Sequence, residues 1–257
     1  MRLGRKPRAH VRGGEHLFTG KPQTVCEIIP ALQDKDISYR LSTIMAGITL
    51  VADNPRSWII PYVHKLKELL EKKHTVVLIH DSKFVRSGDM AFFLSCEKIA
   101  GQEILSRNTH NLVVHESALP KGRGWSPLTW QILEGKHKIP ITLFEAELSV
   151  DSGVIYSQKI MKFTGDELVD EFRKVQGEAT ITLVTEFVRK FPKVAGKKQR
   201  GKASYYPRRL PKDSELNINK PLKALVNQLR VADNERYPAF FLHKGKKYIL
   251  KIFKEAV

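Results

Sequence analysis

Only two cysteines, Cys26 and Cys96, occur in 257 residues. They form no metal-ligand spacing, which argues against a cysteine-built metal site and fits a reducing cytoplasm. No apolar run approaches the roughly 20 residues of a membrane span, so a soluble protein is expected. The opening MRLGRKPRAHVRGG is basic but leads into no apolar h-region, so it does not read as a secretory signal. Acidic residues are scarce beside basic ones, 27 against 44, for a net charge of +17. Such a chain invites a polyanionic partner, nucleic acid first. The cations are scattered, however, with concentrations only at 1–12 and 193–212, and no nucleic-acid module is recognisable. A nucleotide diphosphate, which engages few cations, is therefore placed ahead of nucleic acid.

What the chain does have is one dense stretch, Asn108 to Pro127, NTHNLVVHESALPKGRGWSP. Asn111-Leu112-Val113-Val114 reads as a buried strand with His115 at its end. Pro120, Gly122, Gly124 and Pro127 then force a loop carrying Lys121 and Arg123. Ligands of open α/β sheets bind outside the carboxyl ends of strands, so chemistry is expected here. A histidine so placed can equally be capped by a backbone carbonyl. A second apolar run, Ile139 to Phe144, leads to Asp151-Ser152-Gly153. Asp151 reads either as a turn former or as a partner that orients the imidazole and holds its charge.

Elsewhere the pattern is βαβ. Ile48 to Ala52 reads as a first strand ending at Asp53-Asn54-Pro55, followed by a helix over Ile59 to Leu70 with Ser57 as N-cap. That junction could hold phosphate at a helix N-terminus, although no Gly-rich fingerprint is present. Strands follow at Thr75–Ile79 and Met90–Leu94, then a helix over Ile99–Arg107 returns to the His115 strand. Parallel pairing is expected, which brings Ser95, Cys96, Glu97 and Lys98 to the edge that holds His115. Leu128 to Leu133 reads as a short helix with Trp130 in the core. A long helix spans Asp166 to Lys190, interrupted near Gly177. Residues 193–202 read as a flexible link, Leu222–Arg230 as a helix, and Tyr237-Pro238-Ala239-Phe240-Phe241 as leading into a hairpin through Lys244-Gly245-Lys246.

His115-Glu116-Ser117-Ala118-Leu119-Pro120-Lys121-Gly122-Arg123-Gly124, followed by Pro127, resembles the formyltransferase signature His-x-Ser-x-Leu-Pro, two residues, Arg-Gly, x-x-Pro. Thr142 and Asp151-Ser152-Gly153 resemble that family's downstream Thr and Asp-Thr-Gly, and Asp151 follows His115 by the usual 36 positions. Tyr205-Tyr206-Pro207-Arg208-Arg209, the helix ending in Leu229-Arg230 and Tyr237-Pro238-Ala239-Phe240 resemble the C-terminal part of nucleotide-sugar N-formyltransferases.

The resemblance implies an open, mostly parallel Rossmann-like sheet flanked by helices over 45–192, with a small C-terminal α/β appendage over 193–257. Residues 1–44 read as a basic extension, poorly ordered and dispensable. It implies a cytoplasmic transferase that uses formyltetrahydrofolate as donor, without a metal, to formylate a nucleotide-linked amino sugar of the kind used in cell-surface polysaccharides. A homodimer is compatible. His115 would relay the proton and stabilise the oxyanion, with Asp151 orienting it. Ser95, Cys96, Glu97, Ser117, Leu119 and Asp151 would hold the folate. Asn54, Lys98, Lys121, Arg123, Arg208, Arg209 and Arg230 would hold the sugar nucleotide, although Arg208-Arg209 also reads as a solvated loop. Tyr205 and Tyr206 read as base-stacking or as packing residues.

One departure stands out. The family places Asn two residues before the histidine, and here that residue is Val113. Asn111 shares the strand face but lies about 13 Å from His115 at roughly 3.3 Å per residue. Either another donor, such as Ser117, Thr142 or a backbone amide, holds the oxyanion, or catalysis is weakened or lost. A catalytically weakened sugar-nucleotide-binding protein and a methionyl-tRNA formyltransferase-like or nucleic-acid-binding protein stand as alternatives.

Overall fold

Short continuous apolar runs build the centre of a six-stranded sheet, whose first strand β1 (Gly47–Val51) is almost wholly buried. The computed structural model describes residues 45–255; the expectation for 1–44 lies outside them. From β1 the chain runs through α1 (Ile60–Glu71) to β2 (Thr75–Ile79), then through β3 (Gly88–Phe93) and α2 (Gln102–Leu105) to β4 (Asn108–His115). These four strands pair in parallel in the order β2-β1-β3-β4. The sheet is completed by β6 (Lys138–Glu145) and β7 (Ile155–Lys162), both antiparallel to their neighbours. The order β2-β1-β3-β4-β6-β7 is therefore mostly parallel, with an antiparallel edge. The α/β expectation is borne out.

α4 (Val169–Lys190) covers one face, burying Phe172, Leu183, Val184 and Phe187. Asp170 and Glu171 in its first turn and Arg189 and Lys190 in its last complement the helix dipole. It runs unbroken through Gly177, contrary to the expected interruption. Gly177 faces the ring of Tyr62, and a Cβ there would collide with it. The glycine thus permits α1 and α4 to approach closely rather than ending the helix.

Other local expectations shift as well. α2 is four residues long, and Ile99 stays exposed. Ser57 does not cap α1 with its side chain; its amide and carbonyl instead make the backbone turn that leads into the helix. Trp130, on α3 (Pro127–Leu133), is not core. Its indole donates to the Pro207 carbonyl at 2.9 Å and its ring stacks on Tyr206. Tyr206 belongs to β8 (Tyr205–Tyr206), which pairs with β5 (Arg123–Gly124).

The expected link at 193–202 is tied down. Lys197 exchanges backbone hydrogen bonds with Ile155, and Gln199 and Ser204 bond to the loops around His115. Further on, α5 (Leu222–Arg230) packs with β9 (Ala239–His243) and β10 (Lys246–Leu250) around Leu216, Leu225 and Leu229. No helix among the described residues is long and apolar enough to cross a membrane.

Candidate active site

β1, β3 and β4 run parallel, so their carboxyl ends open on the same edge. There the loops after Val51, Phe93 and His115 border a cleft of about 480 Å³. The loop after β3 is fixed by Asp53, whose carboxylate accepts the amides of Glu97 at 2.7 Å and Lys98 at 3.0 Å. Ser95 takes a left-handed φ of 55° to make that bend. Cys96 faces the cleft, but its thiol donates to the Val51 carbonyl and burial pushes its pKa up to about 12. It is a neutral packing group at ordinary pH.

His115 is buried at the end of β4, paired with Thr142 of β6. Its Nε2 lies 2.8 Å from the Gly122 carbonyl and 3.7 Å from Asp151 Oδ2. A carbonyl only accepts, so Nε2 carries hydrogen and the neutral ring keeps its lone pair on Nδ1. Both sequence readings hold together here: the ring is capped by a carbonyl and faces a carboxylate. Asp151 Oδ2 also accepts the Gly124 amide at 2.8 Å, and Asp151 itself sits at φ 51°. Gly124, at φ 96°, lies so close to the Tyr206 carbonyl that a side chain would not fit.

A single side chain ties these loops together. Gln199 Nε2 donates to the carbonyls of Asp151 and Gly153 at 2.8 and 2.9 Å, while its Oε1 accepts Arg123 Nη2 at 2.6 Å. The turn that carries Asp151 and the loop that caps His115 are thus held by one amide.

Not every expected residue reaches the cleft. Asn54, Ser95, Cys96, Glu97 and Lys98 border it, as do His115, Asp151, Arg208 and Arg209. Asn54 Oδ1 is used within its own turn by the Arg56 amide. Arg208 lies over Trp125, 4.6 Å from the ring centroid, and pairs with Glu97 at 3.2 Å. Arg209 lies over Trp130.

Ser117 and Leu119 are buried beneath the loop and do not border the cleft. Lys121 and Arg123 lie away from the lining as well, Arg123 being engaged by Gln199. Arg230 is a correction: its guanidinium is buried against Glu167 at 3.1 Å and over Phe172, a structural ion pair unavailable to a ligand.

The departure at Val113 also has a structural setting. Val113 packs with Val51, Val85, Ala91 and Phe93 in a small apolar cluster. Asn111 is occupied elsewhere, donating to the Leu105 carbonyl at 2.7 Å. Thr142 is no replacement donor, because its hydroxyl hydrogen already goes to the Ser117 carbonyl at 2.6 Å. The Ser117 hydroxyl has no partner but is sealed from the cleft.

Three contributors escaped the sequence reading. Glu116 borders the cleft beside His115, held by Gln176 of α4 at 2.6 Å. Arg236 and Trp125 border the mouth. Glu116 and Trp125 lie at variable positions of the signature, whereas Arg236 carries no local signal.

No family model matches the chain. The methionyl-tRNA formyltransferase of Thermotoga neapolitana is 24% identical over 255 residues, covering 92% of this chain and 77% of that protein. Among solved structures, a methionyl-tRNA formyltransferase from Clostridium thermocellum superposes with a TM-score of 0.71 at 22% identity, covering 83% of this chain and 94% of that one. A sugar N-formyltransferase from a Shewanella species gives 0.64 at 17% identity, covering 83% and 100%. HypX from Aquifex aeolicus, in complex with tetrahydrofolic acid, gives 0.66 at 16% identity, covering 81% and 38%. At these identities the structural likenesses show the fold. Sequence and fold together support the formyltransferase family. They support an enzyme that transfers formyl groups. Among the described residues, no group of His, Cys, Asp and Glu is arranged to hold a metal.

Proposed function

We propose that this cleft transfers the formyl group of formyltetrahydrofolate to the amine of a nucleotide-linked amino sugar. The observation that carries the reading is His115, buried at the end of β4, with Asp151 3.7 Å away at the edge of a cleft of about 480 Å³. Formyl transfer passes through a tetrahedral adduct that bears an oxyanion, and it needs proton acceptance from the attacking amine. An imidazole can do both in turn, accepting a proton as the neutral ring and stabilising an oxyanion as the imidazolium. Asp151 is placed to balance an imidazolium, and the Gly122 carbonyl fixes which nitrogen carries the resting proton. The loop 95–98, held by Asp53, and the apolar wall of Phe93 and Val113 are the surfaces offered to the folate.

The mouth supports a nucleotide-linked acceptor. Trp125 and Arg208 form a stacked pair there, and Lys98, Arg209 and Arg236 border it. An aromatic face beside guanidinium groups suits a base and its diphosphate. The sequence match to methionyl-tRNA formyltransferases favours a second reading, in which the acceptor is the amine of a charged initiator tRNA. One experiment separates them. Purified protein is given formyltetrahydrofolate with a panel of nucleotide-linked 4-amino sugars, or with methionyl-tRNA, and tetrahydrofolate release is followed. Turnover with a sugar supports the first reading and turnover with tRNA alone the second. Binding of both ligands without turnover supports a catalytically weakened relative.

A further inference from the structure

Of the five carboxylates that border the cleft, Glu116 and Glu147 have no cation within ion-pair distance among the described residues, and of these two only Glu116 adjoins His115. Asp151 accepts the Gly124 amide and faces His115, Glu97 pairs with Arg208, and Asp233 pairs with Arg173 at 2.7 Å. Glu147 accepts only the neutral Ser152 hydroxyl and is exposed to solvent. Glu116 differs. Its Oε1 accepts from a neutral donor, Gln176 Nε2, at 2.6 Å, and among the described residues no cation lies within ion-pair distance. Its place is rigid, because Gln131 Nε2 donates to the Glu116 carbonyl at 2.6 Å. Burial pushes this carboxyl above its ordinary value, against the opposing pull of His115 and the Gln176 hydrogen bond.

We infer that Glu116 receives the acceptor amine, its carboxylate binding the incoming ammonium beside His115 and accepting one proton from it. The inference rests on the cleft being a formyl-transfer site and is the same for a sugar amine or an aminoacyl one. The ammonium R–NH3+ gives one proton to Glu116, which becomes a carboxylic acid. The freed lone pair forms the C–N bond to the formyl carbon, and the carbonyl pair moves to oxygen. His115 takes a second proton from the attacking nitrogen. When the adduct collapses, the bond from the formyl carbon to the donor nitrogen breaks. That nitrogen leaves with the bonding pair and takes the proton from His115. Glu116 then releases its proton to water, so that ammonium and formyl donor become formamide, deformylated donor and one proton.

A carboxyl that must take a proton from an ammonium gains from a raised affinity for it, which its burial at the cleft wall supplies. The charged groups around Glu116 are few. His115 and Asp151 lie on its own edge, Arg173 comes from α4, and Asp233 and Arg236 follow α5. Arg173 and Asp233 neutralise each other.

The test compares wild type with Glu116→Gln, which keeps size and hydrogen bonding but takes no proton. The probe is whichever amine wild type turns over, a nucleotide-linked 4-amino sugar or methionyl-tRNA. kcat/KM for the amine is followed against pH, with the donor KM measured alongside. The expected result is an amine KM raised at least tenfold, a profile displaced toward the amine's own pKa, and an unchanged donor KM. Glu116→Asp should keep the wild-type shape at reduced kcat. Wild-type amine KM and pH profile in Glu116→Gln would overturn the inference. So would equal damage in both variants without a change of profile, which is what packing alone would give. If Glu116→Gln does not fold, Glu116→Asp decides: a raised amine KM on a wild-type-shaped profile supports the inference, and an unchanged KM overturns it. Wild type that turns over no amine is a different result, and sinks the formyl-transfer reading itself.

Discussion

Gln199 holds Asp151 by its carbonyl, 2.8 Å from amide nitrogen to oxygen, across 48 residues of chain. The same side chain engages Arg123, so the two loops that meet at His115 share one anchor. Gln199→Ala should lower kcat by about tenfold or more while leaving KM for both substrates within a few-fold, since misplacing a catalytic group by an ångström can cost about 10²-fold. Gln199→Glu keeps the acceptor for Arg123 but loses the donor, and should remain impaired. Steady-state kinetics with melting temperatures check this. A rise in KM at unchanged kcat would assign Gln199 to ligand binding instead.

Val113→Asn should do harm. Its half-buried side chain packs on Val51, Val85, Ala91 and Phe93 at the cleft wall, and no polar group of that cluster would pair with an amide there. The expected cost is about 1–3 kcal/mol, read as a lower melting temperature with turnover no higher than wild type. If this site instead follows the usual geometry of the formyltransferases it resembles, the new amide would restore an oxyanion donor worth on the order of 10²–10³ in turnover. A faster variant of unchanged stability would establish that.

The hydrogen bonds that the Glu167 carboxylate accepts predict acid sensitivity. Burial alone would raise the Glu167 carboxyl, but the amides of Thr164 and Gly165 and the Thr164 hydroxyl hold it down at about 2, against 4.5 for a free glutamate. A depressed folded value means the stabilisation is present above about pH 4.5 and is lost as pH falls toward 2. The difference corresponds to about 3 kcal/mol. Glu167→Gln should melt lower than wild type at pH 7 and lose less stability than wild type between pH 5 and 2.5. Parallel stability curves for the two proteins would contradict this.

How much of this was legible in the sequence follows from distance along the chain. His115, its loop and the strand before it lie within twenty residues, so turn formers and β-branched runs announced them. Asp151 was found because a motif marked it, although its φ and the Gly124 contact were not readable. Gln199 with Asp151, Gln176 with Glu116 and Arg230 with Glu167 are 48, 60 and 63 residues apart. Local pattern carries no trace of such pairs. Arg230 looked like a phosphate ligand because its string reads the same whether its guanidinium faces a cleft or a buried glutamate. Gly177 looked like a helix break because its close contact with Tyr62 is tertiary.

Cys96 should resist alkylation. Its thiol borders the cleft, yet burial and the nearby Asp53 carboxylate raise its pKa to about 12, so almost no thiolate exists at pH 8. Iodoacetamide at pH 8 should label Cys96 in the native protein far more slowly than in urea, as read by peptide mass spectrometry, which separates it from Cys26. Equal rates in both conditions would refute the assignment.

The central claim is that His115 carries the proton in formyl transfer, and the most direct measurement is tetrahydrofolate release by wild type and His115→Ala with the same amine. Turnover is expected in wild type and none measurable in the variant, with donor and acceptor binding kept within a few-fold and the fold intact. Near-normal turnover in His115→Ala would place the relay elsewhere and contradict the account.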